Sequence, residues 1–401
     1  MHKNVVLYPW YRVTSDIQAW IPVFFFYFSQ FVSLEQVIQL SSIYYISVFF
    51  LEVPSGYFSD RVGRRITLLI SALCHVTAHL FFLAGGGFEF LAAGQVMLAA
   101  GIAFQSGTDT ALHYDSLASL GMENEYEARE ARAEKYGLYS LSLACMLGGL
   151  MASFDLRLAY LLSLCGGLAS IFIVLQFSEP KQSIEEMTGS FFHVLLACIR
   201  RLRHPVLGWL FAALIVMYVM EHVPFEFYQP YIRLLALDSL FTTGDSSALI
   251  SGLVISISMF GGALGATFSL QLRNALGLTG LIGLAALIQL SIVSSIGLIL
   301  HGAALLMVFI RNFPMAMIHA PVNATIAPLI STGQRATYLS LQGLSQRLFF
   351  AILLFSISQT VGDANSVDWP VLSSIITSCL LVGIVAMLPL AVIGYRIRNL
   401  R

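Results

Sequence analysis

Charge is the scarcest property of this chain. Lys, Arg, Asp and Glu make up 11% of its 401 residues, against roughly 25% in an ordinary soluble domain. Hydrophobic residues make up 57%, and the mean hydropathy is +0.80. That balance excludes a water-soluble globule and reads as an integral membrane protein. Imbalance of sign is missing too: a net charge of −1 offers nothing to attract a polyanion, so no nucleic acid partner is expected. The cysteines, Cys74, Cys145, Cys165, Cys198 and Cys379, are odd in number and lie mostly inside apolar runs. They read as small packing residues, not as a disulfide framework or a zinc cluster. No Gly-x-x-x-x-Gly-Lys-Ser/Thr occurs, so an ATP-driven pump has no support. The period-two alternation of an outer-membrane barrel is absent. No cleavable signal peptide is evident, and the first apolar stretch, after a polar start, reads as the first span.

Long apolar runs are what the chain has in plenty. A spanning helix takes about 20 apolar residues, so this length holds at most a dozen spans with short loops. The runs place them at about 13–32, 36–58, 66–84, 88–112, 134–153, 157–177, 206–229, 246–270, 277–297, 301–326, 336–361 and 369–394. The longest polar gap divides the chain into residues 1–178, a linker at 179–205 and residues 206–401. Within the linker, Ser183 to Glu186 looks like a capping box. Phe191, Phe192, Leu195, Leu196, Ile199 and Leu202 follow at helical spacing beside Arg200, Arg201 and Arg203, which predicts an amphipathic helix on the inner membrane surface. With the amino terminus inside, every Lys and Arg except Arg157, Arg233, Arg311 and Arg347 falls on the cytoplasmic side. The positive-inside rule therefore predicts that both termini are cytoplasmic.

Between the second and third runs the charge is concentrated. Glu52, Pro54 and Gly56 are followed by Asp60, Arg61, Gly63, Arg64 and Arg65. Gly56 and Gly63 permit close backbone approach or a left-handed turn, Pro54 interrupts the helical ladder near its end, and Glu52 in apolar sequence needs a partner or a proton. The spacing Gly-x-x-x-Asp-Arg-x-Gly-Arg-Arg resembles the hinge of the major facilitator superfamily between its second and third helices, matching at every fixed position. The resemblance implies an all-α integral membrane fold of twelve transmembrane helices, in two six-helix bundles related by a pseudo-two-fold axis and joined by a cytoplasmic linker. It implies that Asp115, at the inner end of span four, pairs with a hinge arginine as part of a conformational latch, with the start of span eleven near Arg335 as a neighbour. The corresponding loop of the second half keeps only Arg273 and Asn274. A narrower resemblance, to compact prokaryotic facilitators, rests on Glu52-x-Pro54-Ser55-Gly56, Tyr114 to Leu117, Gln229-Pro230-Tyr231 and Arg335-Ala336-Thr337-x-Leu339-Ser340.

In that superfamily spans one, four, seven and ten line the central cavity, so charges there are candidates for solute or proton binding. A charge at mid-bilayer costs about 2.5–3.5 kcal/mol on insertion scales. Span four offers Gln105, Asp109 and His113 at i, i+4 and i+8, one helix face. Span seven places Met217, Glu221, Pro224 and Tyr228 together, with Glu226 turned away toward outer water and two prolines predicting a broken or bent helix. Span ten offers Arg311, Met315 and His319 on one face, with Asn323 nearby. Arg311 can bind an anionic group or pair with Glu221. Arg347 on span eleven supports from behind. Asp16, Trp20 and Tyr27 share a face of span one, where Asp16 reads as a snorkelled interfacial acid. His75 and His79 have metal-pair spacing but no adjacent acid and read as packing.

The expected function is secondary active transport of a small organic, amphipathic solute by alternating access. The expected direction is export driven by a proton gradient, with no bound cofactor or metal, in a bacterial cytoplasmic (inner) membrane, by a monomer surrounded by lipid. Proton-coupled uptake, a lipid flippase, a non-transporting sensor, or a metalloenzyme using His75, His79 and His113 are the alternatives. The span-five pattern of drug:proton antiporters is incomplete. Ser140, Ala144, Cys145, Gly148 and Gly149 keep small residues there but lack its proline and two of its glycines.

Overall fold

Lipid offers no partner to backbone N–H and C=O groups, so a chain that crosses a membrane must satisfy them itself. In the computed structural model, all regular structure among the described residues is accordingly helical. The described residues are 1–180, 196, 199–235, 246–330, 332–361 and 367–399. The capping box and most of the predicted linker helix lie outside them.

The helices are α1 (His2–Ser15), α2 (Phe24–Phe28, after a 3-10 turn), α3 (Leu34–Val62), α4 (Arg64–Ala84), α5 (Phe88–Gln105), α6 (Thr108–Ala118), α7 (Tyr126–Ala152) and α8 (Arg157–Gln176). There follow α9 (Pro205–Leu234), α10 (Ser246–Leu298), α11 (Gly302–Val308), α12 (Phe313–Ile326), α13 (Thr332–Val361) and α14 (Trp369–Asn399). They make twelve spans: α1 with α2, α5 with α6 and α11 with α12 each form one, and α10 forms two, divided at Gly277 with φ 69°. Among the described residues, nine helical stretches are by length and composition able to cross a membrane.

By their contacts the residues form two compact units. The first holds Met1–Glu185, Leu237–Ser256 and Gly362–Asn365; the second holds Glu186–Ala236, Ile257–Val361 and Ser366–Arg401. The core of the first is built on Tyr8, Tyr11, Leu68, Leu112, Val174 and Phe177. That of the second is built on Leu207, Leu210, Met217, Ala285, Met317 and Tyr338.

Three spans expected to be continuous are broken. The first is helical from His2, not from residue 13, because Asn4, Tyr8 and Tyr11 are buried in the bundle. It then opens at residues 16–20, so Asp16, Trp20 and Tyr27 share no helix face. The fourth opens at Ser106 and Gly107, where Gly107 takes φ 74°. Gln105 is thereby separated from Asp109 and His113. The tenth opens at residues 309–312, which takes Arg311 off the helix that carries Met315 and His319.

Open backbone inside a membrane must be bonded by neighbours, and here side chains of adjacent helices do it. Ser140 on α7 donates to the Val13 carbonyl at 2.7 Å, the Cys145 thiol points to the Gln18 carbonyl at 3.7 Å, and the Ser163 hydroxyl accepts from the Trp20 N–H at 3.3 Å. Ser55 donates to the Ala103 carbonyl at 2.7 Å, while Ser106 donates to Glu52 Oε1 at 3.1 Å. Glu52 and Ser55 of the Glu-x-Pro-Ser stretch therefore grip the break in span four. Asn312 donates to the Ser258 carbonyl at 3.2 Å, and Gly261 and Gly265 face the Phe309 and Phe313 carbonyls so closely that a Cβ would lie 2.6 and 2.4 Å from them.

Proline gives the reverse surprise. Span seven was expected to be broken or bent by Pro224 and Pro230, and α9 is not broken: it stays helical through both. Pro224 has no N–H for the Met220 carbonyl, and Gln289 supplies the missing donor at 3.0 Å. On α12 the same happens at Pro321, where Ser269 donates to the Met317 carbonyl at 2.7 Å. Pro54 likewise leaves α3 helical for eight further residues, to Val62.

Candidate functional site

Three helices of the first unit each bring two polar side chains one turn apart. From α1 come Tyr8 and Arg12; from α6 come Asp109 and His113; from α7 come Glu130 and Glu134. Spacing of i, i+4 stacks each pair on one face, so the six form two layers. In one layer Arg12 is shared: Nη1 donates to Asp109 Oδ2 at 2.8 Å and Nη2 to Glu134 Oε2 at 2.7 Å, with Asp16 Oδ2 at 3.5 Å. In the other, His113 Nδ1 meets Glu130 Oε2 at 2.5 Å, the Tyr8 hydroxyl donates to Glu130 Oε1 at 3.0 Å, and the Tyr8 and His113 rings stack at 4.0 Å. Burial is graded: Asp109 and His113 are 5% and 2% exposed, Arg12 and Asp16 15%, and Glu134 52%.

The cluster counts four carboxylates against one guanidinium, with a histidine able to add a second positive charge. Uncompensated charge away from water is costly, so the group's occupancy by protons and its charge balance are linked. Glu134 keeps the cluster open to solvent at one edge. Asp16 does not snorkel as expected. As the C-cap of α1, at i, i+4 from Arg12, it pairs with that guanidinium, and it fills the space beside Gly137, where a Cβ would fall 2.2 Å from its Oδ2. Tyr27 points into the bundle, fully buried against Tyr160 and donating to the Phe82 carbonyl at 2.7 Å.

The hinge keeps the expected pairing of Asp115 with one of its arginines and adds a partner from outside the motif, Glu179. The turn is a single residue, Gly63, at φ 115°. Arg64 and Arg65 then offer their backbone N–H groups at the start of α4, and the Glu179 carboxylate accepts both, at 2.6 and 2.9 Å. An acid at a helix N-terminus satisfies orphan donors and complements the dipole. The Arg65 guanidinium donates to the Leu175 and Val174 carbonyls at the end of α8, at 2.8 and 3.4 Å. Arg64 donates to Ser59 Oγ at 3.1 Å and places Nε 3.5 Å from Asp115. Arg61 lies exposed over the Tyr57 ring at 5.1 Å. Gly56 is helical, and a Cβ there would meet nothing within 4 Å, so neither close approach nor a left-handed turn explains it. The side chains of Asp60 and Arg335 lie outside the described residues. Replacing Glu179 by Ala is expected to lower stability by about 1 kcal/mol, the worth of a helix cap, measured as a shift in thermal unfolding of the purified protein.

In the second unit the Arg311 guanidinium sits over the Phe225 ring at 4.8 Å. Phe225 is one turn beyond Glu221 on α9, so the cation stands beside the face carrying that acid. His222 stacks on Tyr218 at 3.8 Å and meets Phe350 edge-on at 5.3 Å. Tyr228 is fully buried and accepts from Gln229 at 3.3 Å. Glu226, expected to face outer water, is only 3% exposed, because α9 continues to Leu234 and keeps that turn packed. His319 and Asn323 pair with each other at 3.3 Å, and Arg347 is half-buried on α13. On α4, His79 Nδ1 donates to the His75 carbonyl at 2.6 Å. Among the described residues no three His, Cys, Asp or Glu side chains group as for a metal ion.

Arg12, Glu130, Glu134, Tyr8 and Glu179 were missed in the sequence. Arg12 counts there only among the cytoplasmic arginines, and Glu130 and Glu134, just before and at the start of the predicted span 134–153, carry no assigned role. For Tyr8, Arg12, Glu130 and Glu134 a signal was present, as i, i+4 polar pairs at the edges of apolar runs; for Glu179 there was none.

A family model described as Major Facilitator Superfamily matches residues 13–354. A search among curated protein sequences found no match. Among solved structures, a nucleoside transporter, NupG, superposes with a TM-score of 0.79 at 12% identity, covering 97% of this chain and 98% of that one. A peptide transporter, POT, gives 0.71 at 12% identity, covering 98% and 95%. A bacterial homologue of the iron transporter ferroportin, in an inward-facing state, gives 0.70 at 19% identity, covering 97% and 98%. At these identities the likeness is one of fold.

Proposed function

The chain belongs to the Major Facilitator Superfamily, and from that membership we propose that it is a proton-coupled transporter that exports a small, amphipathic organic solute by alternating access across a bacterial cytoplasmic membrane. The observation that carries the coupling is the sharing of Arg12 among Asp109, Glu134 and Asp16, with Glu130 held by His113 one turn away. The Arg12 guanidinium alone cannot neutralise four carboxylates, so protons on His113 or on the acids balance the cluster, and Glu134 gives them a route to water. Because three separate helices supply the groups, taking up or losing a proton favours one arrangement of those helices over another. Asp109 is the proton carrier in this reading, and Arg12 is the charge that competes with the proton for it.

The solute class is supported by the second unit. Aromatic rings at Tyr218, His222, Phe225 and Phe350 surround the face of α9 that carries Glu221 and receives Arg311. Such a mixed surface suits a solute with an apolar body and a polar or charged end. The solved neighbours named as nucleoside and peptide transporters fit a small organic solute.

The test is transport in proteoliposomes filled with a small-molecule cell extract, read by mass spectrometry. With acid outside, at least one solute should leave faster than without a gradient, and a protonophore should stop it. Asp109→Asn should remove the response to the gradient while leaving solute exchange at zero gradient. A solute that instead accumulates under acid-outside conditions would establish uptake. Fluxes indifferent to the gradient in the unaltered protein would defeat the coupling.

A further inference from the structure

The second unit carries a groove unrelated to the charged site. It runs between α9, the second span of α10 and α14, with a volume of about 440 Å³. Its walls are apolar, formed by Trp209, Ile282, Leu287, Leu290, Met387 and Leu388, and its floor is opened by glycines, among them Gly280, Gly283 and Gly394. Gly283 has no atom within 4 Å of where a Cβ would stand. Leu287 and Leu388 are 66% and 62% exposed. In a membrane-spanning chain such a surface is covered by hydrocarbon.

Length and charge specify which hydrocarbon. From Thr279 to Leu290 the helix rises about 16 Å at 1.5 Å per residue, close to half of a hydrocarbon core about 30 Å thick. The groove is one leaflet long. At the end marked by Thr279 and Tyr395, each wall leads into an arginine: Arg203 before α9, Arg273 before Gly277, and Arg396 in the last turns of α14. The acids of the second unit among the described residues are Glu221 and Glu226, inside α9, and Asp368, at the opposite end of α14. None of them neutralises that mouth.

We propose that this groove is a binding site for one phospholipid, an acyl chain lying between α9, α10 and α14 and an anionic headgroup resting against Arg203, Arg273 and Arg396. Each arginine near an anionic headgroup favours its binding, and the effect weakens with salt. The apolar channel holds the chain whatever the headgroup, while the arginines choose the headgroup.

The full-length protein, delipidated in mild detergent, is titrated with phosphatidylglycerol or phosphatidylcholine and read by native mass spectrometry. Phosphatidylglycerol should be retained about tenfold better. Gly283→Phe, which fills the channel from a position with open space, should lose retention of both lipids with an unchanged circular dichroism spectrum. Leu287→Trp serves the same end should the first variant fail to fold. The double variant Arg273→Gln/Arg396→Gln should still bind lipid but lose the preference. Equal retention of the two lipids by the unaltered protein, or full retention in both channel-filling variants, would overturn the proposal.

Discussion

Replacing Arg12 by Gln should stop transport and cost the first unit about 3–5 kcal/mol, the usual price of stripping a buried charge of its partner. The loss is large because Arg12 is shared. Its removal leaves Asp109, 5% exposed, without its 2.8 Å ion pair, and frees Asp16 and Glu134 to repel it. The damage should be electrostatic more than steric, and a second substitution separates the two. Arg12→Gln/Asp109→Asn removes the uncompensated carboxylate and leaves two neutral amides that can bond each other. Thermal unfolding in nanodiscs should show most of the stability returning in the double variant. Transport should not return, because the group proposed to exchange protons is gone. A double variant as unstable as Arg12→Gln alone would mean that Arg12 acts chiefly by packing. Recovery of proton-driven flux in the double variant would remove the cluster from the coupling mechanism.

A second large effect is expected at Gly148. A Cβ at that position would lie 2.1 Å from the Ala19 carbonyl oxygen and 3.0 Å from the Ala19 Cα. These are backbone atoms of the open segment in span one and cannot swing aside. Overpacking a well-packed interior costs about 1–3 kcal/mol and more where nothing yields, so Gly148→Leu belongs at or above the top of that range. It should also wedge α7 away from the segment it stabilises, breaking the Ser140 bond to Val13 and the Cys145 contact with Gln18. The measurement is thermal unfolding of Gly148→Leu beside Gly343→Ala. Gly343 is helical with nothing within 4 Å of its missing Cβ, so alanine there should be neutral or slightly stabilising. If Gly148→Leu unfolded at the temperature of the unaltered protein, the close approach of α7 would have no energetic weight. Helices in lipid gain little from hydrophobic association and depend on such close packing, which is why an aliphatic side chain, ordinarily harmless in a membrane span, should be harmful here.

The two substitutions mark where sequence reasoning succeeded and where it stopped. Hydropathy located the spans because the requirement it tests, about 20 apolar residues per crossing, is local. The hinge at Gly56 to Arg65 led to the family for a similar reason: its chemistry is concentrated in ten consecutive positions. Asp115 was matched to an arginine of the hinge from family resemblance, and the structure places Arg64 3.5 Å from it. Glu179, which accepts from the start of α4, was not found. Its partners are backbone N–H groups more than a hundred residues away, and a backbone donor leaves no mark on composition. The same blindness produced the continuous span one and the expected break in span seven. Proline removes a donor from the helical ladder, and whether the orphaned carbonyl finds another is settled elsewhere: Gln289 is 65 residues from Pro224.

The sequence by itself determined the solvent, the number of crossings and the family, because each depends on residue type summed along a short window. Tertiary structure alone decided which charges meet. Arg12, Asp109 and Glu134 sit in segments with no common periodicity, and they converge only because α1, α6 and α7 pack side by side and each presents one i, i+4 face. A charge inside a membrane protein takes its meaning from the partner it reaches, and partners are set by packing across distant segments.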